Sequence, residues 1–351
     1  MLSPFAKLTR NTAQYLFGEQ GRAYRDFFGE DGYRDAVRYR TELGAIAAQK
    51  PDWVTMRWLA PSTHEGRKLG LVRLRSPSLR PDCPRVLVTG LMHAREFITG
   101  ETAVELVEHL VRGRDDLLRR CEVDVIPVVN PDGFAANVER VRGWQGRFGP
   151  LKRGNARGVD LNRNFGAGWT KDHRTYRLRL SEEYNGTTAF SEPESRALRA
   201  LAEERGYAAA VNLHSYSSVF LYPSFRDEDA PDPVVRDLVA KLPGLQPQEP
   251  YEVYHGARFY GRGRAQRALV RAARGTTEVH GTFDDWLAER GCHCLVVEVS
   301  RPGPPREHLG ELVMSNLRMF NPSPVARSAA IENVLPAITG YLHAVLDRRG
   351  T

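Results

Sequence analysis

His93 and Glu96 stand three residues apart in Leu91-Met-His-Ala-Arg-Glu96. An imidazole nitrogen and a carboxylate oxygen at that spacing can reach one metal ion from a tight turn. Zinc takes both ligand types, and a catalytic zinc uses three protein ligands and leaves one position open. The pair therefore needs a third ligand from elsewhere in the chain. By itself a His-x-x-Glu is a weak signal; its setting adds to it. The apolar run Arg85-Val-Leu-Val-Thr-Gly-Leu-Met92 leads in, and a helical pattern, Glu101-Thr-Ala-Val-Glu-Leu-Val-Glu-His-Leu-Val111, follows. The pair is expected on a turn at the carboxyl end of a strand, where open α/β sheets put their sites.

Two further polar residues interrupt or end apolar runs. His214 follows Val211-Asn-Leu213, and Glu298 sits inside Leu295-Val-Val-Glu-Val-Ser300. Burying a carboxylate is costly unless it is paired or protonated, so Glu298 either faces solvent or has a chemical task. His93, Glu96 and His214 together make a two-histidine, one-carboxylate shell for zinc. A glutamate beside such a shell can remove a proton from water and later deliver it to a leaving amine. An arginine, always charged, can face the oxyanion that develops.

The elements that must position these residues follow from periodicity and punctuation. Helices are expected over 35–50, 100–113, 234–242, 259–274, 283–289, 307–319 and 328–347. Strands are expected over 54–59, 69–74, 85–92, 122–129, 207–213 and 295–299, the first two paired as a hairpin across a Pro- and Gly-bearing connector. His64 in that connector reads as a surface residue. Asn130-Pro-Asp-Gly133 reads as a turn, and Ser191-Glu-Pro-Glu194 as a capping box opening a helix that runs to Arg205. Strands alternating with helices, begun by a hairpin, predict an α/β single domain with a mixed, mainly parallel sheet flanked by helices on both faces. Residues 1–34 lack clear periodicity and are expected as an N-terminal extension on the surface, with the catalytic domain over 35–351.

Composition narrows the class further. The chain has 351 residues, 41% hydrophobic and 26% charged, as in ordinary soluble domains. Net charge is +7, and only six of the 50 basic residues are lysine. No arginine cluster is interleaved with aromatics, so a solvated basic surface is expected rather than a nucleic-acid partner. No unbroken apolar run is long enough to span a bilayer, and Met1-Leu-Ser-Pro-Phe-Ala-Lys-Leu lacks a signal-peptide core; no membrane partner and a cytoplasmic location are expected. Cys83, Cys121, Cys292 and Cys294 form no Cys-x-x-Cys pair, which argues against a zinc ribbon and for reduced, buried residues.

On five segments in order, the chain resembles the zinc carboxypeptidases of the carboxypeptidase A type, the M14 metallopeptidase family. They are His93-Ala-Arg-Glu-Phe97, Asn130-Pro-Asp-Gly-Phe134, Gly158-Val-Asp-Leu-Asn-Arg-Asn-Phe165, Asn212-Leu-His-Ser-Tyr216 and Glu298 in its aliphatic strand, with the weaker Glu65-Gly-Arg67 beside them. The resemblance implies one Zn2+ per chain on His93, Glu96 and His214, with Glu298 as general base. It implies that Asn162 and Arg163 bind the terminal carboxylate of a substrate, which suits a guanidinium fork. The oxyanion arginine would be Arg153, with Arg147 and Arg157 as competitors. Arg95 would line the substrate path, and Asp160 would fix the tautomer of a zinc histidine.

The chain also departs from the family pattern. Aligning Gly281 and Asp285-Trp286 puts Thr277 where the family has a mobile tyrosine, with His280 as another substitute. The same alignment puts Asp284 at the position that reads the terminal side chain, which implies a preference for basic C-terminal residues; a one-residue shift would put Phe283 there. The expected activity is zinc-dependent hydrolysis of a C-terminal peptide bond, on a peptide or small amide substrate with a free carboxylate. Two alternatives are a specialised amidase or esterase on a small acyl-amino acid or cell-wall peptide, and a non-catalytic zinc-binding module.

Overall fold

A single eight-stranded sheet organises the protein. Its strands in chain order are β1 (Val54–Trp58), β2 (Gly70–Leu74), β3 (Arg85–Thr89), β4 (Glu122–Ile126), β5 (Ala209–His214), β6 (Val219–Tyr222), β7 (Glu252–His255) and β8 (His293–Glu298). In the sheet they lie in the order β1-β2-β4-β3-β5-β8-β6-β7. The computed structural model describes residues 26–113, 115–143, 150–226, 233–259, 268, 272, 277–301 and 317–349. The longer helices are α1 (Ala36–Gln49), α2 (Phe97–Val111), α3 (Pro131–Arg142), α4 (Pro193–Arg205), α5 (Pro233–Val239), α6 (Phe283–Ala288) and α7 (Pro324–Arg349).

The four central strands, β4, β3, β5 and β8, run parallel. β1 and β2 form the expected antiparallel hairpin, and β2 joins β4 antiparallel. β6 returns antiparallel to β8, and β7 lies parallel to β6. Central strands covered on both faces read as continuous apolar runs; β4 and β5 are buried along their whole length. β3 pairs with β4 on one side and β5 on the other. That reversal of strand order opens a crevice at the carboxyl ends of β3 and β5, the place where such sheets bind ligands.

Several local expectations are corrected. Asn130-Pro-Asp-Gly133 is the start of α3: the Asn130 side chain accepts from Gly133 N, and Pro131 occupies the first turn. Asn before Pro is a helix-start signal as much as a turn signal. The N-cap of α4 is Glu192, not Ser191, and it makes no side-chain cap bond; its Oε1 accepts from Ser191 Oγ at 2.7 Å. β6 and β7 escape the sequence reading, being short runs in a Pro- and acid-rich region. His64 is partly buried, its Nε2 2.8 Å from Glu192 Oε2, rather than a free surface residue. All four cysteines are free and buried. The helices expected over 259–274 and 307–319 fall mostly outside the described residues; Gly256–Phe259 and Leu317–Phe320 are helical.

Residues 26–34 are not a surface layer. Phe27, Phe28 and Tyr33 belong to the large core beneath the sheet, with Phe97 and Phe134. The Phe27 and Tyr33 rings stack with centroids 4.3 Å apart. Arg34 then reaches the fully buried Glu101 on α2, Nη1 to Oε2 at 2.6 Å, and Arg327 on α7 approaches the same carboxylate at 3.2 Å. α7 is long and apolar enough, by length and composition, to cross a bilayer, contrary to the expectation from unbroken runs. In this fold Ile331, Val334, Ile338, Leu342 and Val345 are buried in the core.

Removing one partner of a buried ion pair leaves a charge without compensation, at about 3–5 kcal/mol. Arg34→Ala is therefore expected to lower unfolding stability by about 3 kcal/mol, measured by urea denaturation. A loss below about 1 kcal/mol would show that Arg327 alone satisfies Glu101.

Candidate active site

β3 ends at Thr89, and the next residues are shaped by the helix behind them. A Cβ at Gly90 would lie 2.7 Å from Thr99 O, so only glycine lets α2 approach so closely. Leu91 takes φ +47°, a left-handed conformation that costs a non-glycine residue about 1–2 kcal/mol. Its N–H is held by Thr99 Oγ1 at 2.7 Å, and Thr99 Oγ1 donates in turn to Glu96 O at 2.6 Å. Asn130 Nδ2 donates to Met92 O at 3.3 Å, and Ala94 N donates to Arg153 O at 2.9 Å. The turn carrying His93 and Glu96 is thus clamped by α2, by the cap of α3 and by the Arg153 loop.

Three ligand atoms converge at the crevice. His93 Nδ1 lies 2.9 Å from Glu96 Oε1 and 3.0 Å from His214 Nδ1, and His214 Nδ1 lies 3.1 Å from Glu96 Oε2. All three residues are buried. A tetrahedral shell with zinc–nitrogen bonds of about 2.0–2.1 Å has ligand atoms about 3.3 Å apart, close to what is seen. The donor set, two neutral imidazoles and a carboxylate, suits zinc. Asp160 Oδ1 stands 3.1 Å from His93 Nε2; with the ring proton held there, the His93 Nδ1 lone pair points at the shared centre.

The electrostatics agree with this arrangement. Burial lowers the His93 pKa, and the Arg153 charge adds to it. Burial opposes ionisation of Glu96, yet His93 and His214 overcome it and hold the carboxyl below the usual carboxylate range. Burial likewise opposes a charged His214, but the hydrogen bond and charge of Glu96 raise it. Protonation of His214 and binding of a cation to it therefore compete.

Glu298 pairs in register with His214 at the end of β8. Its carboxyl opens on the cavity but lies deep in the protein, and burial pushes it up to about 8, with Glu96 adding and His214 and Arg153 opposing. The cavity holds about 400 Å3 and is also lined by His93, Glu96, Arg153, Arg163 and His214. Arg153 Nε binds Asp160 Oδ2 at 2.9 Å, and its Nη1 is 3.9 Å from Glu96 Oε1. Arg163 Nη2 faces Glu183 Oε1 at 3.5 Å. Arg95 binds Glu182 at 2.6 and 3.0 Å and lies over the Phe320 ring at 4.1 Å. Asn162 Oδ1 accepts from Phe283 N at 2.9 Å, and its Nδ2 stands 3.3 Å from His214 Nε2.

Two expected substrate residues lie elsewhere. Asp284 is buried at 1% exposure and is not in the cavity wall. Thr282 caps α6, so Asp284 falls in the first turn and faces down onto β5, where Asn212 Nδ2 donates to its Oδ2 at 3.2 Å. Burial pushes the Asp284 carboxyl up to about 6. Thr277 is half-buried and also outside the wall. Among the described residues the wall carries Leu221, Phe225, Phe259, Val279 and Val296, which belong to one buried apolar cluster. Sequence reasoning missed these residues because they come from β6, β8, the short helix Gly256–Phe259 and loops, brought together only by the order of the sheet. It also missed Tyr216, the phenol that does line the cavity, although the segment containing it was singled out. Arg147 lies outside the described residues.

Comparisons with known proteins agree on one family. A family model described as zinc carboxypeptidase matches residues 39–318. Carboxypeptidase B of Rattus norvegicus is 29% identical over 255 residues, 70% of this chain and 58% of that protein. The inactive metallocarboxypeptidase ECM14 of Saccharomyces cerevisiae is 30% identical over 245 residues, 66% of this chain and 55% of its own. The crystal structure of carboxypeptidase A from Helicoverpa armigera superposes with a TM-score of 0.72 at 20% identity, covering 92% of this chain and 75% of that one. The chain spans about half the length of the curated relatives it matches.

An outer partner that orients a metal histidine is worth about 10–100-fold in affinity. Asp160→Asn is expected to weaken zinc binding by about that factor, read by competition with a chromogenic chelator. Unchanged affinity would mean that Asp160 does not orient His93.

Proposed function

The chain belongs to the zinc carboxypeptidase family, and from that premise we propose that it hydrolyses the amide bond next to a free C-terminal carboxylate. The observation that carries this reading is the placement of Glu298, in register with His214 and open to the same cavity as His93, Glu96, Arg153 and Arg163. Zinc, when bound, supplies a Lewis acid that polarises the scissile carbonyl and acidifies water.

The remaining work falls to side chains. Asn162 and Arg163 hold the substrate's terminal carboxylate, which displaces Glu183 from the Arg163 guanidinium. Glu298, raised by burial to about 8, would be drawn toward its carboxylate form near neutrality by a cation held on His93, Glu96 and His214. Glu298 takes a proton from the attacking water as the oxygen–carbon bond forms. It then returns that proton to the amide nitrogen as the carbon–nitrogen bond breaks, and the amine leaves neutral. The Arg153 guanidinium, oriented by Asp160, faces the developing oxyanion.

The terminal side chain enters the apolar end of the cavity, between Leu221, Phe225, Val279 and Val296. An unpaired substrate ammonium or guanidinium there would be desolvated without a partner. A preference for apolar C-terminal residues is thus favoured over the basic preference that an Asp284 in the wall would have given.

The test is a panel of N-acylated dipeptides ending in Phe, Leu, Arg or Glu, with metal content assayed alongside. Phe and Leu substrates are expected to exceed Arg by about tenfold or more in kcat/KM. Glu298→Gln is expected to lose about 10²–10⁴-fold in kcat while keeping its zinc. Faster release of Arg would overturn the apolar pocket. Bound zinc with no cleavage of any member would overturn the general carboxypeptidase reading in favour of a specialised amide substrate.

A further inference from the structure

Away from the cavity, a second group of metal-ligating side chains converges. His64, on the connector between β1 and β2, Glu192 at the cap of α4 and Glu194 in its first turn present ligand atoms within 4.8 Å of one another. None of the three lines the cavity described above. Glu192 and Glu194 are buried, Glu194 at 0% exposure, and His64 is partly buried. Asn155 Nδ2 donates to both carboxylates, at 2.8 Å to Glu192 Oε2 and 3.2 Å to Glu194 Oε2. Glu192 Oε1 accepts from Ser191 Oγ at 2.7 Å. Glu194 Oε1 is buried without any hydrogen-bond partner.

Charge makes the cluster incomplete. Two carboxylates are brought together in a buried place, and among the described residues no lysine or arginine ion-pairs with either; His64 is the basic group that does reach Glu192. Like charges at this separation cannot both persist without a proton or a cation. Burial pushes Glu194 up to about 7, while Glu192 is held below its ordinary value, its burial overcome by bonds from Asn155, Ser191 and His64. A proton carried on Glu194 Oε2 would still leave Oε1 without a partner, and one on Oε1 would have no acceptor. Glu194 Oε1 keeps its lone pairs open, and its carboxylate stands with an imidazole and a second carboxylate, a donor set that suits a cation.

We propose that His64, Glu192 and Glu194 bind a second divalent cation, of the zinc class that takes mixed imidazole and carboxylate ligands. Asn155 holds the two carboxylates in register. Its own Oδ1 accepts from Arg157 N at 3.0 Å and Val159 N at 3.1 Å. The ion therefore ties the β1–β2 connector and the start of α4 to the loop that carries Arg153 and Asp160. Its role is to stiffen that loop, not to touch substrate.

The test counts metal rather than turnover. The full chain, stripped with chelator and dialysed, is titrated calorimetrically with Zn2+ alongside His93→Ala, His64→Phe and Glu194→Gln. The wild type is expected to bind about two ions and each variant about one. In the His93→Ala background, Zn2+ is expected to raise Tm, and adding His64→Phe is expected to abolish that rise. A single ion in the wild type, or two in both His64→Phe and Glu194→Gln, would overturn the site. So would a Zn2+-independent rise in Tm on Glu194→Gln with one ion in the wild type, which would mark a shared proton instead. Should Glu194→Gln fail to fold, the His64→Phe pair decides alone.

Discussion

Two imidazole nitrogens and a carboxylate held about 3 Å apart, out of reach of bulk water, do not come together by themselves. Each presents electron density to the others, and only a shared proton or a cation relieves the repulsion. The surrounding fold supplies the force that brings them there. Parallel strands β3 and β5 end side by side, so His93 and His214 are delivered to one crevice by backbone hydrogen bonds rather than by side-chain reach. The left-handed Leu91 and the N-terminus of α2 then turn Glu96 back toward the same point. Strain of this kind persists only where neighbouring structure over-determines it, and here Thr99, Asn130 and the Arg153 loop do so.

The same economy governs the cations around the cavity. Arg153 is matched by Asp160, Arg163 by Glu183 and Arg95 by Glu182. Each guanidinium is oriented before anything binds, so little reorganisation is left for the moment when charge develops. The pairing also sets a threshold: an incoming carboxylate has to outcompete Glu183, and a neutral group has no means to do so. Selection for a charged terminus thus arises from competition as well as attraction.

Much of the centre was legible in the sequence, for a physical reason. Strand-end polar residues stand out against apolar runs, as at His93, His214 and Glu298, and a carboxylate is conspicuous in an aliphatic strand. The hairpin, the central strands and α1 followed from periodicity and capping. What could not be read were contacts assembled by sheet order. Asp284 has the right residue type at the right offset, but its helical turn sends it to Asn212 instead of the cavity. The apolar wall joins residues from β6, β8, a short helix and two loops, and no local pattern links them. Asn130-Pro-Asp-Gly133 carries signals for both a turn and a helix start, and packing against the Met92 backbone decides between them. Phe27 and Phe28 gave no periodic pattern because their element is a single 3-10 turn, Asp26–Phe28, and Tyr33 follows it outside any helix or strand, though all three are in the core.

Glu101 is where both flanks of the chain meet. Arg34 arrives from before α1 and Arg327 from α7, and Tyr33 Oη donates to Pro322 O at 2.8 Å across the same junction. The helix they grip is α2, whose first residue follows Glu96 directly. The segment recognisable as a family member, residues 39–318, omits both arginines. The recognisable unit and the cooperative unit are therefore different objects. A fragment cut to the first would keep every ligand atom yet leave Glu101, five residues along the chain from Glu96, buried in the core without either cation. Its loss of order would begin at the helix that aims Glu96, so the outermost parts of this chain act as the foundation of its innermost chemistry.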